Sequence, residues 1–175
     1  MLKIFSDYLE ILKELLIPCE IEEALENISL EKLAAKGYIN ILLDIDNTIV
    51  PPDKKIINLE KINWINKAKT MGFDVYLISN NINKRRIRKI SKELNIPKGL
   101  YFALKPFPFS VKDFAKKNYI NLNKTVVVGD QLLTDVLMGN WFKSYTILLD
   151  PIDKKLSFIK TLQREVELFI LKSIK

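Results

Sequence analysis

Short apolar runs alternate with helix-patterned segments through the middle of this chain, and that alternation limits its fold more than any other feature. Ile39 to Ile45 is a short apolar run ending in acids, the pattern of a buried strand. Leu59 to Met71 sets Leu59, Ile62, Ile65 and Ala68 near helical spacing, and Gly72 stops the helix. Asp74 to Ser79 reads as the second strand. Asn83 caps a helix that runs to Leu94, with Ile87, Ile90 and Leu94 on one face. Leu100 to Leu104 is a third strand, and a helix opens at Ser110 and runs through Lys117. Thr125 to Val128 is wholly β-branched, a strand by composition. A short helix falls within Asp130 to Asn140, and Tyr145 to Leu149 is a fifth strand. This order predicts an α/β fold: a mainly parallel five-stranded central sheet covered by helices on both faces. The 175 residues suit a single domain, 1–175, with its core at about 30–150.

Strands of such a sheet present their ligands at their carboxyl ends, where the strand order reverses. Asp44 and Asp46 follow the first strand, and Ser79, Asn80 and Asn81 end the second. Lys105-Pro106 follows the third, and Gly129, Asp130 and then Asp135 follow the fourth. Residues i and i+2 of an extended strand share a side, so Asp44 and Asp46 repel unless a cation or a proton intervenes. A hard divalent ion with oxygen ligands meets that need, and magnesium is the usual partner of phosphates. Asp130 adds a third carboxylate. One carboxylate can attack a phosphate ester and the other can move the proton. Lys105, Ser79 and nearby N–H groups can compensate the phosphoryl charge. Each feature alone is ordinary: a solvated strand end, a turn, a loop lysine, a helix start. Their order, one behind each strand, makes coincidence a poor explanation.

The chain has no histidine, which excludes Ser-His-Asp and Cys-His mechanisms and imidazole metal ligands. Its one cysteine, Cys19, excludes an intrachain disulfide and suits a reducing compartment. No apolar run is long enough to span a bilayer, and the start reads as neither signal nor transit peptide, so the expected location is cytoplasmic. The net charge of +7 is spread along a sequence rich in Lys, Ile and Asn. It permits an anionic partner without requiring one.

The quoted segments resemble the four motifs of the haloacid-dehalogenase (HAD) superfamily. Asp44-Ile45-Asp46-Asn47-Thr48-Ile49-Val50, Ser79-Asn80-Asn81, Lys105-Pro106 and Gly129-Asp130-Gln131-Leu132-Leu133-Thr134-Asp135 carry the likeness. The fuller strings are similar to subfamily IIIA, the YqeG-type phosphatases, relatives of the mitochondrial phosphatidylglycerophosphate phosphatases. The resemblance covers about Leu30 to Asp150 and implies a HAD-like (Rossmannoid) three-layer sandwich. It implies that Asp44 is the nucleophile and a Mg2+ ligand. Asp46 would be the acid/base, with its main-chain carbonyl on the metal. Thr48, Ser79, Asn80 through its main chain, and Lys105 would bind phosphate, with Thr48 also supporting the loop geometry. Asp130 would bind the metal and Asp135 would orient its shell. An acid at the position of Asp46 marks the superfamily's phosphatases. Two departures, Pro52 after Pro51 and Trp141 after Asn140, leave these residues untouched.

The intervals from Asp46 to Ser79 and from Ser79 to Lys105 leave no room for a large cap domain, so an open site is expected. That suits a large phosphorylated substrate, with a lipid phosphate such as phosphatidylglycerophosphate first and a soluble nucleotide or sugar phosphate second. A basic RNA- or ribosome-associated protein with a residual pocket is the reading from another class, but no nucleic-acid motif supports it. Phe5, Leu9, Leu12 and Leu16 form one helical stripe. Ile159, Leu162, Val166, Phe169, Ile170 and Ile174 form another, ringed by Lys and Arg. Such helices dock on the core, on a second subunit of a homo-oligomer, or at an anionic membrane surface as a peripheral contact.

Overall fold

The computed structural model describes residues 14–54 and 56–153. In chain order the elements are β1 (Glu20–Glu22), a 3-10 turn (Leu25–Asn27), α1 (Leu30–Ala35), β2 (Asn40–Asp44) and α2 (Leu59–Thr70). There follow β3 (Asp74–Ser79), α3 (Lys84–Glu93), β4 (Gly99–Tyr101), α4 (Pro108–Lys117) and a second 3-10 turn (Leu122–Lys124). The last are β5 (Thr125–Gly129), a π-helical turn (Leu132–Val136), α5 (Leu137–Trp141) and β6 (Tyr145–Leu149). The strands form one six-stranded sheet in the order β1-β6-β5-β2-β3-β4. Every pairing is parallel.

Central strands are buried on both sides, so they read as unbroken apolar runs; every residue of β2 and of β5 is buried. Alternate side chains feed two layers. Ile41, Leu43, Leu77, Val126 and Val128 pack with Leu33 of α1, Ile65 and Ala68 of α2, and Ile87 and Ile90 of α3. Leu42, Tyr76, Ile78 and Val127 pack on the other face with Val111 and Ala115 of α4 and Met138 of α5. Each such Leu or Ile contributes about 1.5–3 kcal/mol by leaving water. Asn58 and Asn83 cap α2 and α3, accepting from the main-chain N–H of Glu60 and Arg86.

The sheet has one strand more than the five expected. β1, Glu-Ile-Glu, is a polar edge strand whose Ile21 is exposed, so no apolar run announces it. Two boundaries also differ. The third expected strand stops at Tyr101 because Phe102 and Leu104 both take φ 56°, which no strand continues through. α4 opens at Pro108 rather than Ser110, since proline at the first helical position has its φ preset. The Ser110 hydroxyl instead donates to the Ala103 carbonyl. The expected terminal helices lie outside the described residues, apart from Leu16, which packs on Leu132, Val136 and Leu148. Among the described residues no helix is long and apolar enough to cross a membrane.

Candidate active site

From β2 the chain moves outward to β3 and β4, then crosses back to β5 on the other side. The loops after β2 and β5 therefore diverge and open a crevice between them. Asp44 is the last residue of β2, and Asp130 follows the last residue of β5. One carboxylate oxygen from each of Asp44, Asp130 and Asp135 lies within 4.8 Å of the other two, and all three residues are buried. Gly129 makes this approach possible, because a Cβ there would overlap the Asp135 carboxylate.

Lys105 enters the cluster from the loop after β4. Its Nζ donates to Asp44 Oδ1 at 2.6 Å and to Asp135 Oδ1 at 2.5 Å. Burial drives the Asp44 carboxyl up to about 7; the Lys105 ammonium pulls against the rise, while the charges of Asp135 and Asp46 add to it. Burial also opposes the charged form of Lys105, but Asp135 and Asp44 outweigh it and hold the ammonium above the ordinary lysine pKa. Three buried carboxylates face one ammonium, an excess of negative charge that a divalent cation would neutralise. The donors are all oxygen, so the residues fit a hard ion such as Mg2+.

Asp46 points elsewhere. Its Oδ1 pairs with Arg86 Nη1 at 2.6 Å, and its Oδ2 accepts from Asn81 Nδ2 at 3.0 Å and Ser79 Oγ at 3.4 Å. Asn47 closes the loop in the left-handed region, φ 66°, with its N–H donating to the Val50 carbonyl at 2.9 Å. Asn tolerates that conformation better than a bulky residue.

Asn80 uses its side chain as a brace: Oδ1 accepts from the Lys105 N–H at 2.7 Å and Nδ2 donates to the Lys105 carbonyl at 2.9 Å. Asp44, Asp46, Asn80, Asn81 and Lys105 line one cavity of about 270 Å³ together with Pro52, Gln131 and Thr134. Thr48 is not part of that wall. It is fully buried, its Oγ1 has no hydrogen-bond partner among the described residues, and it lines a separate cavity with Asn58, Lys61 and Asp150. Ser79 reaches Asp46 and the Asn81 N–H rather than the cavity wall.

Arg86 is the residue that sequence reasoning missed. It is buried, and besides Asp46 it donates to the carbonyls of Pro51 at 3.0 Å and Lys54 at 3.3 Å. Its sign in the sequence is a cation in the first turn of a helix, where the dipole disfavours it. The run Lys84-Arg85-Arg86-Ile87-Arg88-Lys89 hid that sign.

Known proteins resemble this chain. A probable phosphatase YqeG of Bacillus subtilis (strain 168) is 36% identical over 164 residues, covering 94% of each chain. Two solved structures share the fold at 15% identity. One is an uncharacterized protein of Listeria monocytogenes serotype 4b, with TM-score 0.56 over 77% of this chain and 99% of that one. The other is the cobalt-bound deoxy-D-mannose-octulosonate 8-phosphate phosphatase (YrbI) of Haemophilus influenzae, with TM-score 0.52 over 81% of this chain and 90% of that one. The family described as mitochondrial PGP phosphatase matches residues 8–152. The chain belongs to that family and is a phosphatase of the HAD type.

Proposed function

We propose that the protein is a magnesium-dependent phosphatase that hydrolyses a phosphate monoester through an aspartyl-phosphate at Asp44. The observation that carries this reading is the bridge Asp44–Lys105–Asp135 beside Asp130, in a chain of this family. Asp44 attacks phosphorus, the P–O bond to the alcohol breaks, and Asp46 gives the leaving oxygen its proton. Asp46 then takes a proton from water, which attacks the aspartyl-phosphate, frees inorganic phosphate and restores Asp44. To act so, Asp46 exchanges part of its hold on Arg86, Asn81 and Ser79 for the ester oxygen and then for water.

Lys105 neutralises the phosphoryl oxygens, the main chain at Asn80 donates to them, Ser79 joins by exchanging its bond to Asp46 for one to them, and Thr48 keeps the loop between Asp46 and Val50 in shape. Asp44, Asp130 and the Asp46 carbonyl would hold the Mg2+, with Asp135 orienting the group around it. When bound, the ion supplies further positive charge opposite the transferring phosphoryl group.

The substrate we favour is phosphatidylglycerophosphate or a similar lipid phosphate, placing the enzyme in phospholipid biosynthesis at the inner face of the membrane. Membership of the mitochondrial PGP phosphatase family supports it. The test is phosphate release from a panel of lipid and soluble phosphates, with Mg2+ and with EDTA, for the native chain and Asp44→Asn. The expected result is Mg2+-dependent release, greatest on the lipid phosphate and lower by about four orders of magnitude in the variant. Normal turnover by Asp44→Asn overturns the nucleophile, and a clear preference for a soluble compound overturns the substrate.

A further inference from the structure

The loops above β3 and β4, with the first turn of α4, leave large apolar side chains in solvent. Ile82 is 75% exposed, Phe102 53%, Leu104 47%, Phe107 63% and Phe109 79%. Single exposed apolar residues need no explanation, but a group this dense within two neighbouring loops marks a contact surface. Two left-handed residues produce the arrangement. Phe102 and Leu104 each hold φ 56°, a conformation disfavoured for bulky side chains. The chain they bend sends Lys105 inward to Asp44 while both remain outside. The loops are joined as well: Asn80 clasps the Lys105 main chain, and the Ala103 N–H donates to the Ser79 carbonyl at 3.0 Å. Ile82 stands on the first loop, just before α3.

Charge identifies the occupant. Lys84, Arg85, Arg88 and Lys89 of α3 are exposed directly beside Ile82. No acidic residue occurs from Asn80 to Lys92, or from Gly99 to Lys112. Arg85 and Lys89 flank a cavity of about 370 Å³ together with Asn83 and Arg86. Cations in the first turn of a helix oppose its dipole, so this face carries charge that the helix itself does not favour. A second copy of the chain fits poorly, because a two-fold contact would set these cations against themselves.

We propose that this rim is a docking surface for an anionic phospholipid bilayer, with the apolar side chains of the two loops in the interfacial layer and the cations of α3 against the headgroups. The inference rests on the lipid-phosphate reading and adds where and how the substrate arrives. The docked loop also carries Lys105, so the mouth of the site faces the surface holding the phosphate.

Two double variants of the full chain test this, Phe107→Ser with Phe109→Ser, and Arg85→Glu with Lys89→Glu, each first checked for native thermal unfolding. The probes are vesicle flotation, with pure phosphatidylcholine against vesicles half phosphatidylglycerol, and the ratio of phosphate release from phosphatidylglycerophosphate in vesicles to that from phenyl phosphate in solution. The native chain is expected to float at least about tenfold more with anionic vesicles, less so at high salt. Each double variant is expected to lower both flotation and the ratio by about tenfold. Vesicle binding equal to the native chain's in both variants overturns the proposal. So does a change of oligomeric state in sedimentation with vesicle binding unmoved, which would make the face a self-contact. Flotation needs no turnover, so release from neither phosphate would count against the phosphatase reading while docking is still decided.

Discussion

The carboxyl edge of the sheet has two unlike halves. Above β2 and β5, polar groups are buried and opposed at short range: Asp44, Asp130 and Asp135 around the Lys105 ammonium. Above β3 and β4, apolar and cationic side chains stand in solvent with little to face them. The same topology makes both. Loops that diverge at the reversal of strand order form a crevice, whereas loops toward the edge have no neighbour to cover them. On the proposed reading, chemistry sits where the low dielectric strengthens charge, and substrate contact sits where water can be displaced. Lys105, from the loop after β4, and Arg86, from the first turn of α3, join the halves, each ending on a carboxylate of β2 or its turn.

Replacing Lys105 by Met is the strongest way to break this division. It leaves Asp44 and Asp135 facing each other in a buried site, and removing one partner of a buried pair costs about 3–5 kcal/mol. Turnover is expected to fall about a thousandfold and the melting temperature to drop, with Mg2+ restoring part of the thermal loss but not the turnover. Activity assays and scanning calorimetry read the two effects separately. A variant as stable as the native chain would show that the bridge contributes nothing to the inner half.

Arg86→Met is expected to act on the outer link alone. Asp46 loses its cation and the carbonyls of Pro51 and Lys54 lose a donor. A fall in kcat of about 10–100-fold is expected, with a displaced pH profile and partial recovery in Arg86→Lys, which restores the charge without the fork. A loss confined to stability, with the pH profile unmoved, would reduce Arg86 to a loop brace.

The smallest effect concerns pH. With its carboxyl raised to about 7, Asp44 is neutral in the fold but charged in the unfolded chain from about pH 4 upward. The fold therefore holds the extra proton in that window, and its stability declines as pH rises, the loss being complete above about 7. The metal-free native chain should lose stability relative to Asp44→Asn between pH 5 and pH 8, by a few degrees in melting temperature. Mg2+ should stabilise the native chain more at pH 8 than at pH 5. A difference between the two chains that is flat with pH would contradict the burial argument.

Much of the inner half was legible in the sequence. Asp44, Ser79 and Asp130 each stand at a strand end and Lys105 in the loop beyond one, and an apolar run followed by a polar residue is a local pattern. The expected place for Thr48 on the phosphate is not what the geometry brings together, because whether a side chain of a tight turn faces the site or the core depends on dihedrals that spacing does not encode. Arg86 was hidden among neighbouring cations. β1 was hidden by its two glutamates, which sit well on an edge and carry no apolar signature. Phe102 read as a strand residue, and only the left-handed turns at Phe102 and Leu104 put it outside, while Phe107 and Phe109 fell between the expected strand and helix.

Asn80 reads the Lys105 main chain with both the oxygen and the nitrogen of its side-chain amide, much as one base reads another. The position of Lys105 is therefore set by a cross-chain clasp as well as by the peptide leading up to it. Substitutions at the exposed positions Ile82, Arg85, Lys89, Phe102 and Leu104 that leave the clasp intact should reshape the outer surface without displacing the lysine. If the rim docks as proposed, a lineage could fit the protein to membranes of different composition by editing those exposed positions alone, with the buried carboxylates carried along unchanged.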